Sequence, residues 1–320
     1  MLLVVSESDT DVMGALGGGR EEPPRELWQS GRVRIDQLMG EVREALAEAG
    51  IDNPAVDTEL LVAHVLQESR GRVQALAMIG TELETETESR IRDLGEERAR
   101  RVPLQHLTGR APFRGIELEV GPGVFVPRPE TEVVAQFGID ALAAVPAPEP
   151  IAVDLCTGSG AIALALAAEV PTAHVWAIEK SAEAHAWATR NVAALGDGRV
   201  ELLLGDVAEA AELLPGTLRG RVHLLISNPP YVPSGMVPRD PEVRDHDPEL
   251  ALYSGEDGLD LIRVISRVGL EWVAPGGTLV LEHAESQGAA IRGILTADGW
   301  RAPSTHRDLT FRDRATVALR

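Results

Sequence analysis

The sequence predicts an α/β protein: a mostly parallel sheet with helices on both faces, preceded by a small helical bundle. Three observations predict it. From residue 151 onward, short apolar runs alternate with helical patterns in regular succession, the signature of parallel strands joined by crossover helices. Two strand patterns then follow each other directly at the C-terminus, which adds one antiparallel member. Residues 33–101, by contrast, carry helical spacing only. The 320 residues suffice for two domains of ordinary size.

Taken in order, residues 1–31 contain "GALGGGREEPP", with no apolar period, and read as a disordered extension. Ile35, Leu38, Met39, Val42, Leu46 and Ala49 then fall at helical spacing, and Gly50 is a stop signal. Asn53 is placed to cap a second helix that starts with Pro54 at its first position. "TETESRIRDLGEERARR" reads as a third, highly charged helix. Residues 32–101 are therefore expected to form a helical domain. Residues 102–129 read as a linker whose two short strands flank Gly121-Pro122-Gly123, a hairpin signal. A helix over 130–144 and the segment "VPAPEP" open the larger unit, 130–320. Its strands are expected at 151–156, 174–179, 200–206, 223–228, 277–283, 300–306 and 315–320, seven in all. The helices between them are expected at 161–169, 182–194, 258–273 and 286–297.

Composition excludes several classes of function. The formal net charge of −20 argues against broad electrostatic binding to nucleic acid. No run approaches a membrane span, and "MLLVV" is too short for a signal-peptide core, so a cytoplasmic location is expected. A lone cysteine, Cys156, forbids an internal disulfide or a cysteine-based metal cluster. The single lysine, Lys180, reads as coding bias without functional content. Charge reverses only over residues 98–116, which hold five arginines and no acid. That stretch is expected either to steer a protein partner or to end a helix favourably.

The candidate site is a row of strand ends. "DLCTGSG" follows the first strand of the sheet and opens a helix, with Gly158 and Gly160 allowing a tight turn and close approach of a ligand. The G-x-G spacing alone is equally a plain strand-to-helix turn. Glu179 ends the second strand, where it can accept both hydroxyls of a ribose or simply face solvent. Asp206 ends the third, within reach of an adenine amino group or as a helix cap. Asn228 ends the fourth. No basic residue in the glycine loop could meet phosphates, so a cationic nucleoside fits better than NAD or ATP. S-adenosylmethionine is such a molecule.

The fourth strand stops at Asn228-Pro229-Pro230-Tyr231. Two prolines cannot continue a sheet and make a stiff corner. The Asn228 side-chain oxygen and the Pro229 carbonyl are two acceptors for a planar NH₂ group, and Tyr231 can pack on the plane. Holding the NH₂ this way points its lone pair at a sulfonium methyl, so catalysis is orientation plus stabilisation of developing charge. The plainer alternative is a proline-rich turn with a packing tyrosine.

"DLCTGSGAIALALA" with "SNPPY" resembles the amino-methyltransferases. "PLQHLTG", "VPRPETE", "LYSGEDGLD" and "LEHAESQG" narrow the resemblance to the HemK-type release-factor glutamine methyltransferases. It covers about residues 33–320. It implies a helical substrate-recognition domain, a hairpin, and a Rossmann-like class I methyltransferase domain. It implies methylation of the glutamine amide in the Gly-Gly-Gln motif of class I release factors, with S-adenosylhomocysteine as product. Cys156, Thr157, Gly158, Ser159, Gly160, Glu179, Asp206, Val207 and Asn228 would contact the cofactor. Asn228, Pro229, Pro230 and Tyr231 would hold the glutamine. No metal, DNA or membrane contact is implied. Two departures stand out: Cys156 and Phe311 occupy positions where the family commonly has glycine. His106 and His283 read as structural. The segment after Tyr231, "VRDHDPELALYSGEDG", is too long for a plain connection and is expected to fold over the substrate. A ribosomal-protein glutamine methyltransferase shares this chemistry. A DNA adenine methyltransferase needs a basic reading surface, which the net charge over 151–320 opposes. A non-catalytic binding protein would not need an intact NPPY corner.

Overall fold

A computed structural model describes residues 32–320; the extension expected over 1–31 lies outside the described residues. The described residues open with five helices: α1 (Ile35–Glu48), α2 (Pro54–Leu66), α3 (Arg70–Met78), α4 (Thr85–Ala99) and the short α5 (Leu104–Thr108). The α1 stripe of Ile35, Leu38, Val42 and Leu46 is buried against α2 and α4 in a core of its own. Pro54 begins α2, but Asn53 makes no side-chain capping bond, contrary to expectation. Helix α3 was not anticipated because it buries only Val73, too little to leave an apolar stripe.

The hairpin also differs from its expected position. Strands β1 (Arg110–Phe113) and β2 (Ile116–Glu119) pair with Phe113 opposite Ile116, so the turn is Arg114-Gly115 rather than Gly121-Pro122-Gly123. Arg114 takes the left-handed φ of 52° there. It is held by Glu132, Gln136 and Glu169, which overrides its weak preference for that conformation. The Gly-Pro-Gly run lies beyond the hairpin.

The rest alternates as expected. In chain order come α6 (Pro129–Ala143), β3 (Ile151–Leu155), α7 (Ala161–Glu169), β4 (His174–Glu179), α8 (Ala182–Leu195), β5 (Val200–Leu204) and α9 (Ala210–Leu213). Then follow β6 (Val222–Ser227), α10 (Pro241–His246), α11 (Asp260–Trp272), β7 (Val273–Glu282), α12 (Gly288–Asp298), β8 (Arg301–Arg307) and β9 (Asp313–Leu319). Seven strands form one sheet in the order β5-β4-β3-β6-β7-β9-β8. Only β9 is antiparallel to its neighbours. One core packs α6, α7 and the hairpin onto one face; the other packs α11 and α12 onto the opposite face. A side chain at Gly121 or Gly123 would collide with Trp187 or Glu183 of α8, so these glycines let the linker pass close to that helix.

The arginine stretch 98–116 is not a free cationic patch. Arg98 is buried, bonding Asp57 at 2.7 Å and Glu242 at 2.8 Å. Arg101 reaches the other Glu242 oxygen at 2.6 Å. Arg110 pairs with Glu117 and Arg114 with Glu169. Arg98, Arg101 and Arg114 are consumed internally, because a half-buried guanidinium needs a carboxylate; Arg110 pairs at the surface and Arg100 is exposed. Glu242 lies on α10, so α4 is fastened directly to the segment that follows the NPPY corner.

Candidate active site

The strand order reverses between β3 and β6, where doubly wound sheets bind ligands beyond their carboxyl ends. The loop 156–160 leaves β3 and the corner 228–231 leaves β6, side by side. Ser227 Oγ donates to the Leu155 carbonyl at 2.6 Å and ties the two strand ends together. They border a cleft of about 680 Å³.

The glycine loop is built from left-handed residues: Cys156 at φ 62°, Gly158 at 58° and Gly160 at 86°. Asp154, fully buried beneath it, accepts from the Thr157 hydroxyl at 2.5 Å and the Ala163 N–H at 3.1 Å. Burial pushes the Asp154 carboxyl up to about 7. Burial likewise pushes the Cys156 thiol up, so it is a neutral wall group. Gly158 has open space where a Cβ would stand, and it faces the cleft. Gly160 does not line the cleft; it caps α7 under Leu164. Asn191 of α8, buried, donates to both Ser159 O and Glu119 O at 2.9 Å and so braces the loop against the hairpin.

Glu179 is buried at the end of β4. Each of its oxygens takes one backbone N–H, from Gly158 at 2.8 Å and from Ser181 at 2.7 Å. A carboxylate oxygen has two lone pairs, so each keeps capacity for a ligand hydroxyl. Asp206 caps the turn after β5, accepting from Ala208 N–H at 2.9 Å, and pairs with Lys180 at 2.8 Å. That lysine holds the Asp206 carboxyl below its ordinary range. Lys180 lines the cleft beside Val207, Thr157 and Ser159, so it has a local role that composition did not suggest.

At the corner, Asn228 is half-buried and its Nδ2 donates to the Thr131 hydroxyl at 3.2 Å. In this orientation Oδ1 is the atom left for a ligand. Pro229 is buried behind the lining, while Pro230 and Tyr231 face the cleft. The Tyr231 carbonyl accepts from Gln287 at 2.8 Å, and Gly258 packs so closely on it that a side chain there would collide. Burial pushes the Tyr231 phenol up. The expected cover is present: Val243, Pro248 and Leu250–Ser254 lie on the cleft wall, and Val232 exchanges backbone hydrogen bonds with Leu252 and Ser254. Asp247 anchors this cover to the linker through Arg128 at 2.8 Å.

His106 bonds the Val124 carbonyl at 3.2 Å and serves the linker. His283 is fully buried between the Ala284 carbonyl and Thr316, away from the cleft. Thr131, Arg128, Glu282 and Arg314 all line the cleft although sequence reasoning gave them no role. "PRPETE" and "LEHAESQG" contained the first three, yet only folding brings them to the corner.

Comparison with known proteins agrees with this architecture. The family model described as the PrmC N-terminal domain matches residues 37–109, and the methyltransferase small domain matches residues 120–238. A release factor glutamine methyltransferase of Streptomyces coelicolor is 46% identical over 289 residues, 89% of this chain and 98% of that protein. The chain belongs to the release factor glutamine methyltransferase family. A second relative of that name, from Mycolicibacterium smegmatis, is 44% identical over 90% of this chain and 98% of its own length. A 4-amino-L-phenylalanine/4-methylamino-L-phenylalanine methyltransferase of Streptomyces pristinaespiralis is 37% identical over 89% of this chain and 95% of that one. Family membership makes this chain a methyltransferase that uses S-adenosylmethionine. The cleft is bordered by the carboxyl groups of Glu130, Glu179, Asp206 and Glu282 and by the cations of Arg128, Lys180 and Arg314.

Proposed function

We propose that this enzyme methylates the side-chain amide nitrogen of the glutamine in the Gly-Gly-Gln motif of class I release factors. The observation that carries the reading is the corner itself: Asn228, with its Nδ2 on the Thr131 hydroxyl, beside the glycine loop at the switch point of the sheet. When bound, S-adenosylmethionine supplies an electrophilic methyl group. Glu179 accepts the ribose hydroxyls on its spare lone pairs, and Asp206 and Val207 border the adenine. Cys156, Thr157, Gly158 and Ser159 line the remaining cofactor wall; Gly160 shapes the turn. Asn228 Oδ1 accepts one N–H bond of the glutamine amide and the Pro229 carbonyl the other, the Pro229 ring itself staying buried behind the cleft wall, and Pro230 fixes that carbonyl's direction. The nitrogen lone pair then points out of the amide plane toward the methyl. The Tyr231 ring packs on the amide and excludes water. Because both acceptors are fixed before reaction, the positive charge that grows on nitrogen meets oriented dipoles. The helical domain recognises the body of the release factor.

The test is radiolabelled methyl transfer from S-adenosylmethionine by the full chain. Substrates are a class I release factor, the same factor with the glutamine changed to alanine, a ribosomal-protein mixture, DNA and 4-amino-L-phenylalanine. Label on the unaltered release factor alone is expected. Asn228→Ala should lower that rate by about 10²–10³-fold, the usual loss for one fixed donor or acceptor at a reacting group. Label on the aromatic amine in preference to the release factor would replace this reading with that of the Streptomyces pristinaespiralis relative.

A further inference from the structure

Two buried polar groups stand behind the corner and touch no substrate in the mechanism above: Thr131 and Glu282. Thr131, in the first turn of α6, is 4% exposed, and its hydroxyl receives Asn228 Nδ2 at 3.2 Å. Glu282, at the end of β7, is 2% exposed, lines the same cleft, and its Oε2 has no hydrogen-bond partner. An uncompensated buried carboxylate is costly, so its retention needs a reason. We propose that Thr131 and Glu282 are positioning residues that hold the Asn228 amide in its reactive orientation, Thr131 directly and Glu282 through Thr131. This rests on the reading of Asn228 as an acceptor for the substrate amide.

The chemistry is one of hydrogen-bond polarity. Asn228 must point Oδ1 at the substrate, so its NH₂ must be the end that faces Thr131. A hydroxyl can accept from that NH₂ while its own proton is directed elsewhere. An ionised carboxylate only accepts, so Glu282 draws the Thr131 proton and leaves the oxygen lone pairs toward Asn228. A protonated Glu282 becomes a competing donor, and the bias is lost. Burial pushes Glu282 up to about 7. Thr131 and Glu130 face it from α6, Arg314 and Asp308 from the β9 side, and Tyr231 from the corner. Thr131 and Arg314 pull it down, Glu130 and Asp308 push it up.

Three variants test this on the full chain. Thr131→Val should lower kcat by about 10- to 100-fold, the cost of a small misplacement at the reacting atoms. The S-adenosylmethionine Kd and the melting temperature should change little. Thr131→Ser restores the hydroxyl and should return most of kcat. In the parent enzyme kcat should decline below about pH 7. In Glu282→Gln it should be low and lack that limb. A Thr131→Val enzyme with parental kcat, failure of serine to rescue, or an unchanged acid limb in Glu282→Gln overturns the proposal. If Asn228→Ala itself retains activity, the reading of the corner fails instead, and the two failures are distinct.

Discussion

Glu179 shows how one residue can serve both the loop and the ligand. Its two oxygens brace Gly158 and Ser181, each with a lone pair to spare, and the residue lines the cleft. Glu179→Ala should therefore weaken S-adenosylmethionine binding by more than one ligand hydrogen bond; charged hydrogen bonds contribute about 1.5–3 kcal/mol each. Calorimetry should show at least a ~10-fold rise in Kd. An unchanged Kd would leave Glu179 as a loop brace alone. Phe311 is the opposite case, a residue whose conformation works against it. It sits at φ 64° in the β8–β9 turn and is 80% exposed. A left-handed conformation costs a non-glycine residue about 1–2 kcal/mol. Phe311→Gly relieves that cost, offset in part by the greater freedom of glycine in the unfolded chain. A net rise of a few degrees in melting temperature is expected, and a fall would show that the ring's packing outweighs the strain.

At the scale of elements, strands and crossover helices were legible because burial on both faces leaves long apolar runs with sharp polar ends. Helix α7 and strand β4 occur at 161–169 and 174–179, as their patterns predict. Elements that bury little were illegible: α3 has one buried residue, and the hairpin turn carries an arginine where chemistry favours glycine or asparagine. That residues 243–258 line the cleft was readable from the length of the connection, but their anchors were not. Arg98 and Glu242 are 144 residues apart in sequence, and no local pattern links them. That bridge carries a prediction. Removing one partner of a buried ion pair leaves the other uncompensated, at a cost of about 3–5 kcal/mol. Glu242→Gln should thus destabilise α10, expose the cover to protease before the sheet, and raise KM for the protein substrate. Equal protease resistance in variant and parent would mean that α10 holds its place without the bridge.

The whole molecule combines a strongly acidic surface with three carboxyl groups that burial has displaced upward. Asp154 and Glu282 stand at about 7 and Asp247 at about 6. A carboxyl raised in the folded state binds its proton more tightly there than in the unfolded chain. Its contribution is fully present below the ordinary carboxyl range and is lost as pH rises through the folded value. For the two fully buried groups the loss is on the order of 3 kcal/mol each. Glu242 and Asp308 work in the opposite direction: Glu242 is held near 2 by the carboxyl of Asp240, which is raised in turn, and by Arg101 and Arg98, and Asp308 near 2 by Thr310, the Arg312 N–H and Arg314. Their stabilisation is complete above about pH 5 and disappears only as pH falls toward 2. The first set loses its contribution between about pH 4 and pH 7 and the second gains its own between about pH 2 and pH 5, so stability should peak near pH 4 and decline to about pH 7. Residual repulsion at a net charge of −20 reinforces the decline. Activity should follow the other course, because an ionised Glu282 orients Thr131 and therefore Asn228. Denaturant titrations at half-unit pH steps, run beside initial rates, check both. A stability curve that climbs from pH 5 to pH 8 would show that Asp154 and Glu282 are ionised in the fold without penalty, through contacts with water or cofactor that supply the missing partners.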